Sequence, residues 1–162
     1  MSDSAGIAVS DWPKERRVVL EAILKDAFEG WYLYHARWKL ADAENVLVAS
    51  EGEVPVGLSI LELLDHKAGY VFYIAVRSKA RRRGIGSLLL GNSIDFFRSR
   101  GCVRVFASVE KDNEPSKKLF ESKGFLKVGY AQLSKEYGRI GALTMYSRMV
   151  VVPGEMLLAK QL

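Results

Sequence analysis

Apolar and polar positions along the chain change period several times, and each change marks an element. Ile7 to Val9 is a short β-forming run that predicts a first strand. Trp12 to about Glu29 reads as a helix with Asp11 as its N-cap and Pro13 in its first turn. Trp31 to Ala43 reads as a second helix. Trp31, Tyr34, His35 and Trp38 share one of its faces, and such a stripe is expected to be a packing face. Val46 to Ser50 and Val54 to Leu63 are predicted strands, joined through Glu51-Gly52-Glu53 as a hairpin. Tyr70 to Val76 is the next strand.

Beyond it, Gly84 to Arg100 contains a helix closed by Gly101, and Val103 to Val109 is a strand. Pro115 to Lys123 reads as a helix with proline in its first turn and Gly124 at its end. Lys127 to Leu133 and Ala142 to Val151 are predicted strands with a loop around Tyr137-Gly138 between them. The tail after Pro153 has no assignment, and its apolar part, Met156 to Leu162, is free to pair with another subunit or to cover an edge of its own sheet. Strands first, then strands alternating with helices, predict an α/β fold, a mixed sheet with helices on both faces.

With 162 residues, 49% hydrophobic and 27% charged, the expectation is one globular domain over residues 1–162. No apolar run approaches the ~20 residues that span a bilayer. The N-terminal MSDSAGIAVSDW has neither a basic nor a hydrophobic region of the kind a secretory leader carries. One cysteine rules out an internal disulfide framework, so a reducing, cytoplasmic setting is expected. Monomer and homodimer both remain open. His35 and His66 are far apart and lack partners at metal-ligand spacing, so no metal site is expected. Cys102, opening an apolar strand, reads as a small buried hydrophobe.

Charge changes the picture at one place. The net charge is +5, and part of the excess sits in Lys79-Ala80-Arg81-Arg82-Arg83. A basic cluster invites a nucleic-acid reading, but no aromatic stacking pattern or DNA-binding motif accompanies it. What does accompany it is a strand before and Gly84-Ile85-Gly86-Ser87 opening a helix after. Backbone N–H groups, a helix N-terminus and arginines in one turn favour a phosphate-bearing ligand. The glycine spacing lacks the third glycine of a dinucleotide fingerprint, and there is no Gly-Lys-Ser/Thr of a nucleotide-hydrolase loop.

Arg81-x-x-Gly84-x-Gly86 resembles the pyrophosphate signature of the GNAT family, the Gcn5-related N-acetyltransferases. Asn113-Glu114-Pro115-Ser116-Lys117-Lys118-Leu119-Phe120, followed by Gly124-Phe125, resembles that family's downstream motif at the family's spacing. The resemblance covers roughly Glu44 to Met149. It implies a mixed, mostly antiparallel sheet of six to seven strands with a splayed strand pair, and acetyl-CoA as acyl donor. The pantetheine arm would lie along Ile74, Ala75 and Val76. The pyrophosphate would sit on the backbone of Arg82, Arg83, Gly84, Ile85, Gly86 and Ser87, with Arg81 adding charge. Asn113 and Ser116 would either bond the ligand or serve the helix start; Leu119 and Phe120 would pack on cofactor or core.

The implied reaction is direct attack of a primary amine on the thioester in a ternary complex. The acceptor is a protein N-terminus, a lysine side chain or a small amine, with a protein or peptide preferred. Where relatives carry a tyrosine acid, this chain has Phe120. Either another group serves, with Tyr137 foremost and Tyr130 and Tyr146 as further candidates, or the thiolate leaves without a dedicated acid. Tyr70 aligns with the position of a Glu or Tyr base in relatives, though an ordinary strand aromatic is the plainer reading; Glu110, Tyr73, Ser108 as a water positioner, and Glu62 are further candidates. Two rival readings follow from the residues: an acyl-CoA-binding module that has lost its chemistry, suggested by Phe120, and a nucleic-acid binder using the basic turn.

Overall fold

The computed structural model describes residues 6–162. Residues 1–5, and with them the start of the N-terminal stretch discussed above, lie outside the described residues. Seven strands form a sheet in the order β1-β2-β3-β4-β5-β7-β6. They are β1 (Ile7–Asp11), β2 (Asn45–Glu51), β3 (Val54–Leu64), β4 (Ala68–Val76), β5 (Arg104–Glu110), β6 (Leu126–Lys127) and β7 (Glu155–Gln161). The helices are α1 (Glu21–Ala27), α2 (Gly30–Asp42), α3 (Ile85–Ser99), α4 (Glu114–Ser122) and α5 (Tyr130–Met149). Two compact units divide the chain, one comprising Met1–Glu62 with Phe72–Asp95 and the other Leu63–Val71 with Phe96–Leu162.

In the first unit, β1 pairs antiparallel with β2 and β2 with β3, the latter ladder shifting register between Ala49 and Ser50. The hairpin turns through Gly52 at φ +60°, a backbone state that glycine adopts without strain. Strand alternation then sorts side chains to two faces. Val46, Val48, Leu58, Ile60 and Ala75 pack with Leu20, Ile23, Leu24, Ala36 and Leu40. Ala49, Val56, Ile74 and Val76 pack instead with Ala80, Ile85 and Leu89. Helices α1 and α2 therefore cover one face of this unit and α3 the other, as the sequence predicts.

The predicted first helix is corrected. Lys14–Leu20 is a 3₁₀ stretch and only Glu21–Ala27 is α-helical. Asp11 is the last residue of β1 rather than an N-cap, because Trp12 N–H still donates to Val46 O at 2.9 Å. Buried Arg17 holds the tight turn by donating to Trp12 O (3.3 Å), Leu40 O (3.0 Å) and Glu44 O (3.3 Å). The aromatic stripe is corrected too. Trp31, Tyr34 and Trp38 are 51%, 70% and 54% exposed, and the line that α2 buries is His35, Ala36, Lys39 and Leu40.

In the second unit, β4 and β5 run parallel from Ala68↔Arg104 to Val71↔Ala107. β7 pairs antiparallel with β5 from Arg104↔Gln161 to Glu110↔Glu155, and β6 pairs with β7. The tail is thus a strand within the sheet, with both of its edges occupied. Consecutive Leu157, Leu158 and Ala159 are all buried, so no alternation marks them in the sequence. The two strands predicted over Lys127–Leu133 and Ala142–Val151 are instead β6 and helix α5. Ala142, Met145 and Met149 recur at helical spacing and are buried. Gly138, at φ 75° and ψ 164°, breaks the helix internally and disguises that period.

Candidate functional site

The basic turn is built in the first unit. Arg77 N–H donates to Val56 O at 2.9 Å, which places the backbone of alternate residues, Ala75 among them, toward β3. The backbone of Ile74 and Val76 then faces the opposite edge. Val76 O accepts from Arg81 Nε at 3.2 Å. A short 3₁₀ turn, Ser78–Ala80, follows. Its first residue is gripped by Asp26: Ser78 N–H donates to Oδ2 at 2.6 Å and Ser78 Oγ to Oδ1 at 3.1 Å. These bonds from Ser78 hold the Asp26 carboxyl below the usual carboxylate range.

Arg82 (φ 62°) and Gly84 (φ 77°) are both left-handed, which curls the backbone before α3. Alternation of this kind makes a concavity of N–H groups suited to an anion. Helix α3 begins at Ile85, and its first backbone acceptor is Gly84 O, bonded by Leu88 N–H at 2.9 Å. The N–H groups of Ile85, Gly86 and Ser87 belong to the first turn, which has no intrahelical acceptors. Buried Ile85 anchors that turn on Ala49, Val56, Ala80 and Leu89. Arg83 forms a two-bond ion pair with Glu51, at 3.0 and 3.3 Å, that lowers the Glu51 carboxyl pKa. Arg83 is therefore tethered by its guanidinium and Arg81 only through Nε, while Arg81 and Arg82 are both exposed.

In the second unit, Asn113 caps α4: its Oδ1 accepts from Ser116 N–H at 3.2 Å. That satisfies the helix-start role for both residues and leaves the Asn113 amide nitrogen outside the cap. Leu119 is half-buried, whereas Phe120 is buried and meets Phe125 edge-on, ring centroids 5.0 Å apart. Phe120 is thus a core side chain. Tyr70 is 1% exposed and its hydroxyl lies 2.7 Å from Ser108 Oγ, so these two sequence candidates are brought together. Glu110 is exposed at the end of β5. Tyr137 does not sit in a loop between strands. It precedes the Gly138 break of α5, with its ring 5.5 Å from that of His66. Tyr130 and Tyr146 pack edge-on to each other, and burial raises the Tyr146 phenol pKa.

A family model described as the Acetyltransferase (GNAT) family matches residues 8–125. The chain belongs to the GNAT family. It is 32% identical over 114 residues to N-alpha-acetyltransferase 30 of Homo sapiens, a match covering 67% of this chain and 32% of that one. It is 28% identical over 122 residues to a mycothiol acetyltransferase of Beutenbergia cavernae, covering 75% of this chain and 38% of that one. The GNAT chain described here thus spans only about a third of the length of these relatives. Among solved structures, the ribosomal-protein-S18-alanine N-acetyltransferase from Escherichia coli matches with TM-score 0.72 and 16% identity, over 96% of this chain and 93% of that one. The NatC complex bound to Gag peptide and CoA matches with TM-score 0.71 and 17% identity, over 96% of this chain and 98% of that one. At such identities the likeness is one of fold.

One arrangement in this GNAT chain escaped the sequence reading. His35, set aside there for want of metal-ligating partners, has its Nδ1 2.7 Å from the Tyr73 hydroxyl. The two are 38 residues apart, on α2 and β4, and nothing in local spacing links them. Beside them Lys39 Nζ lies 3.0 Å from Glu62 Oε2 and 4.0 Å from the centre of the Phe72 ring. Only the packing of α2 on the sheet brings these groups together.

Proposed function

We propose that this protein transfers an acetyl group from acetyl-CoA to a primary amine, the acceptor being the free α-amine of a protein or peptide. The observation that carries the proposal is the Arg81–Ser87 turn. Its left-handed Arg82 and Gly84 and the open N–H groups at the start of α3 suit a pyrophosphate in shape and charge. Arg82 adds an exposed cation, and Arg81 reinforces it from its tether on Val76. Ile74 supplies backbone groups for the pantetheine amides. In the second unit, the resemblance of Asn113 to Phe125 to the family's downstream motif keeps the Asn113 amide nitrogen, Ser116 and Leu119 as proposed cofactor contacts in their own right; Phe120 is assigned to the core. The α-amine preference draws on the relationship to N-alpha-acetyltransferase 30.

Acetyl-CoA, when bound, supplies the activated acyl group; the chain's own work is to orient it and to move protons. The sequence candidate Tyr137 packs on His66, eight residues before Ile74 and so roughly 20 Å or more along an extended strand; we therefore propose that the thiolate leaves without Tyr137 as its acid. Glu110 is an exposed candidate base. Tyr70 has its hydroxyl committed to Ser108 and is shielded from solvent, which favours a packing role. The pairing of Arg83 with Glu51 removes one cation of the cluster from a nucleic-acid surface, which weighs against that reading.

Calorimetric titration with acetyl-CoA, CoA and ATP at one salt concentration tests the donor site, and thiol release with peptides bearing free α-amines, side-chain amines only, or small amines tests the acceptor. Binding of both CoA species well above ATP, with turnover on α-amines, is the expected result. Binding without turnover on any amine would favour the acyl-CoA-binding module, and no CoA binding would remove the reading of the turn.

A further inference from the structure

The first unit contains an acid–base pair that neither family motif includes. His35 is buried on α2, and its ring is boxed by aromatics: Trp31 stacks on it at 5.4 Å, with Trp38, Phe72 and Tyr73 at 5.9, 6.0 and 5.8 Å. The box fixes the imidazole plane, and its Nδ1 points at the Tyr73 hydroxyl, 2.7 Å away. Tyr73 itself is only half-buried, with Phe28 edge-on at 5.2 Å holding its ring. It stands on β4 immediately before Ile74, so its phenol borders the strand assigned to the pantetheine arm.

We infer that Tyr73 is the group that takes the proton from the attacking amine, with His35 as the positioning residue that draws the phenol proton away. This inference rests on the acetyltransfer reading above. In the step, the C–N bond forms as the thioester C–S bond breaks. The proton lost by nitrogen passes to Tyr73 Oη while the phenol proton moves to His35 Nδ1. The departing thiolate takes up one proton from solvent, and the imidazolium returns its own to solvent, so the protons balance. A free phenol, with a pKa near 10, holds its proton too tightly to serve alone, and the bonded imidazole supplies the missing acceptor.

The surroundings keep that imidazole in the accepting form. Burial first, and then the Lys39 ammonium one turn along α2, hold its pKa below the ordinary histidine value. The charged and titratable groups around it are Lys39 on its own helix, Tyr73 on β4, and Glu62 on β3, which is paired to Lys39 at 3.0 Å. No carboxylate bonds the ring directly among these, so nothing here favours the imidazolium in the resting protein. Tyr70, by contrast, is shielded and bonded to Ser108.

The test is a cycle of Tyr73→Phe, His35→Gln and the double variant, with acetyl-CoA and a peptide bearing a free α-amine. Phenylalanine preserves the ring against Phe28, and acetyl-CoA affinity within twofold of the parent certifies the fold of each variant. The expected result is a fall in kcat of about 10²-fold for Tyr73→Phe. A smaller fall is expected for His35→Gln, together with loss of the acidic limb of the kcat–pH profile, and the double variant is no worse than Tyr73→Phe. Should a variant fail the affinity check, the limb is read instead from the parent protein in H₂O and D₂O: a solvent isotope effect on kcat that grows toward acid pH supports the relay, and none overturns it. Parent-like kcat in Tyr73→Phe, or losses that simply add in the double variant, overturns the relay while leaving acetyltransfer intact. Absence of any turnover in the parent protein, despite acetyl-CoA binding, overturns both.

Discussion

Gly69 leaves no room for a side chain. A Cβ there would lie 2.3 Å from the Phe97 ring, which is itself fully buried. Gly69→Ala is therefore expected to destabilise the protein by about 1–3 kcal/mol, the usual cost of overpacking; urea melts measure it, and adding Phe97→Leu should recover part of the loss. Arg17 poses the opposite case, a buried cation whose donors satisfy carbonyls at Trp12, Leu40 and Glu44. Arg17→Met keeps the apolar stem but leaves those acceptors unpaired, and about 2 kcal/mol or more should be lost in the same melts. At His35 the sign follows from the lowered pKa. The unfolded chain takes up a proton near 6.5 while the folded protein resists until lower pH, so stability falls as pH drops below about 6.5. His35→Gln should flatten that part of a Tm-against-pH curve. Gly84 and Gly86 were legible from the sequence because a tight turn constrains neighbouring residues; the His35–Tyr73 bond was not, because it joins elements 38 residues apart.

Among the elements, the Arg81–Ser87 turn is held at several points by the protein's own side chains. Asp26 at the end of α1 grips Ser78, Glu51 on β2 grips Arg83, and Val76 O receives Arg81. Asp26→Ala removes the first of these without touching the proposed phosphate contacts. Losing a cap of this kind costs about 1 kcal/mol, so acetyl-CoA affinity should weaken roughly fivefold by calorimetry. Helix α5 illustrates how an element hides. Its period is broken at Gly138, whose φ and ψ of 75° and 164° lie in a region almost closed to other residues. The aromatic stripe of α2 misled for a different reason. Its spacing is helical, but two neighbouring faces that share His35 were open to it, and the polar contacts of His35 and Lys39 with β4 and β3 select the other one. Hydrophobicity alone does not rank a face of three exposed aromatics below one carrying a histidine and a lysine.

Across the whole molecule, β7 is the element on which the second unit depends. It supplies the antiparallel neighbour of both β5 and β6, although it is the last strand in the chain. Removing residues 154–162 would leave both ladders unpaired, and the expected result is loss of a cooperative thermal transition in circular dichroism. The sequence by itself determined the strands and helices between Asn45 and Ser122, the phosphate-suited turn, and membership of the GNAT family. Those features rest on residues close together in the chain: glycines that permit a left-handed backbone, a proline and an asparagine at a helix start, and alternation along a half-covered sheet. Tertiary structure alone decided that the tail is an inner strand, that α5 is a broken helix, that the tryptophans of α2 face outward, and that His35 meets Tyr73. Each of these depends on which distant partner buries a surface or completes a hydrogen bond, and such partners are chosen by packing rather than by local spacing.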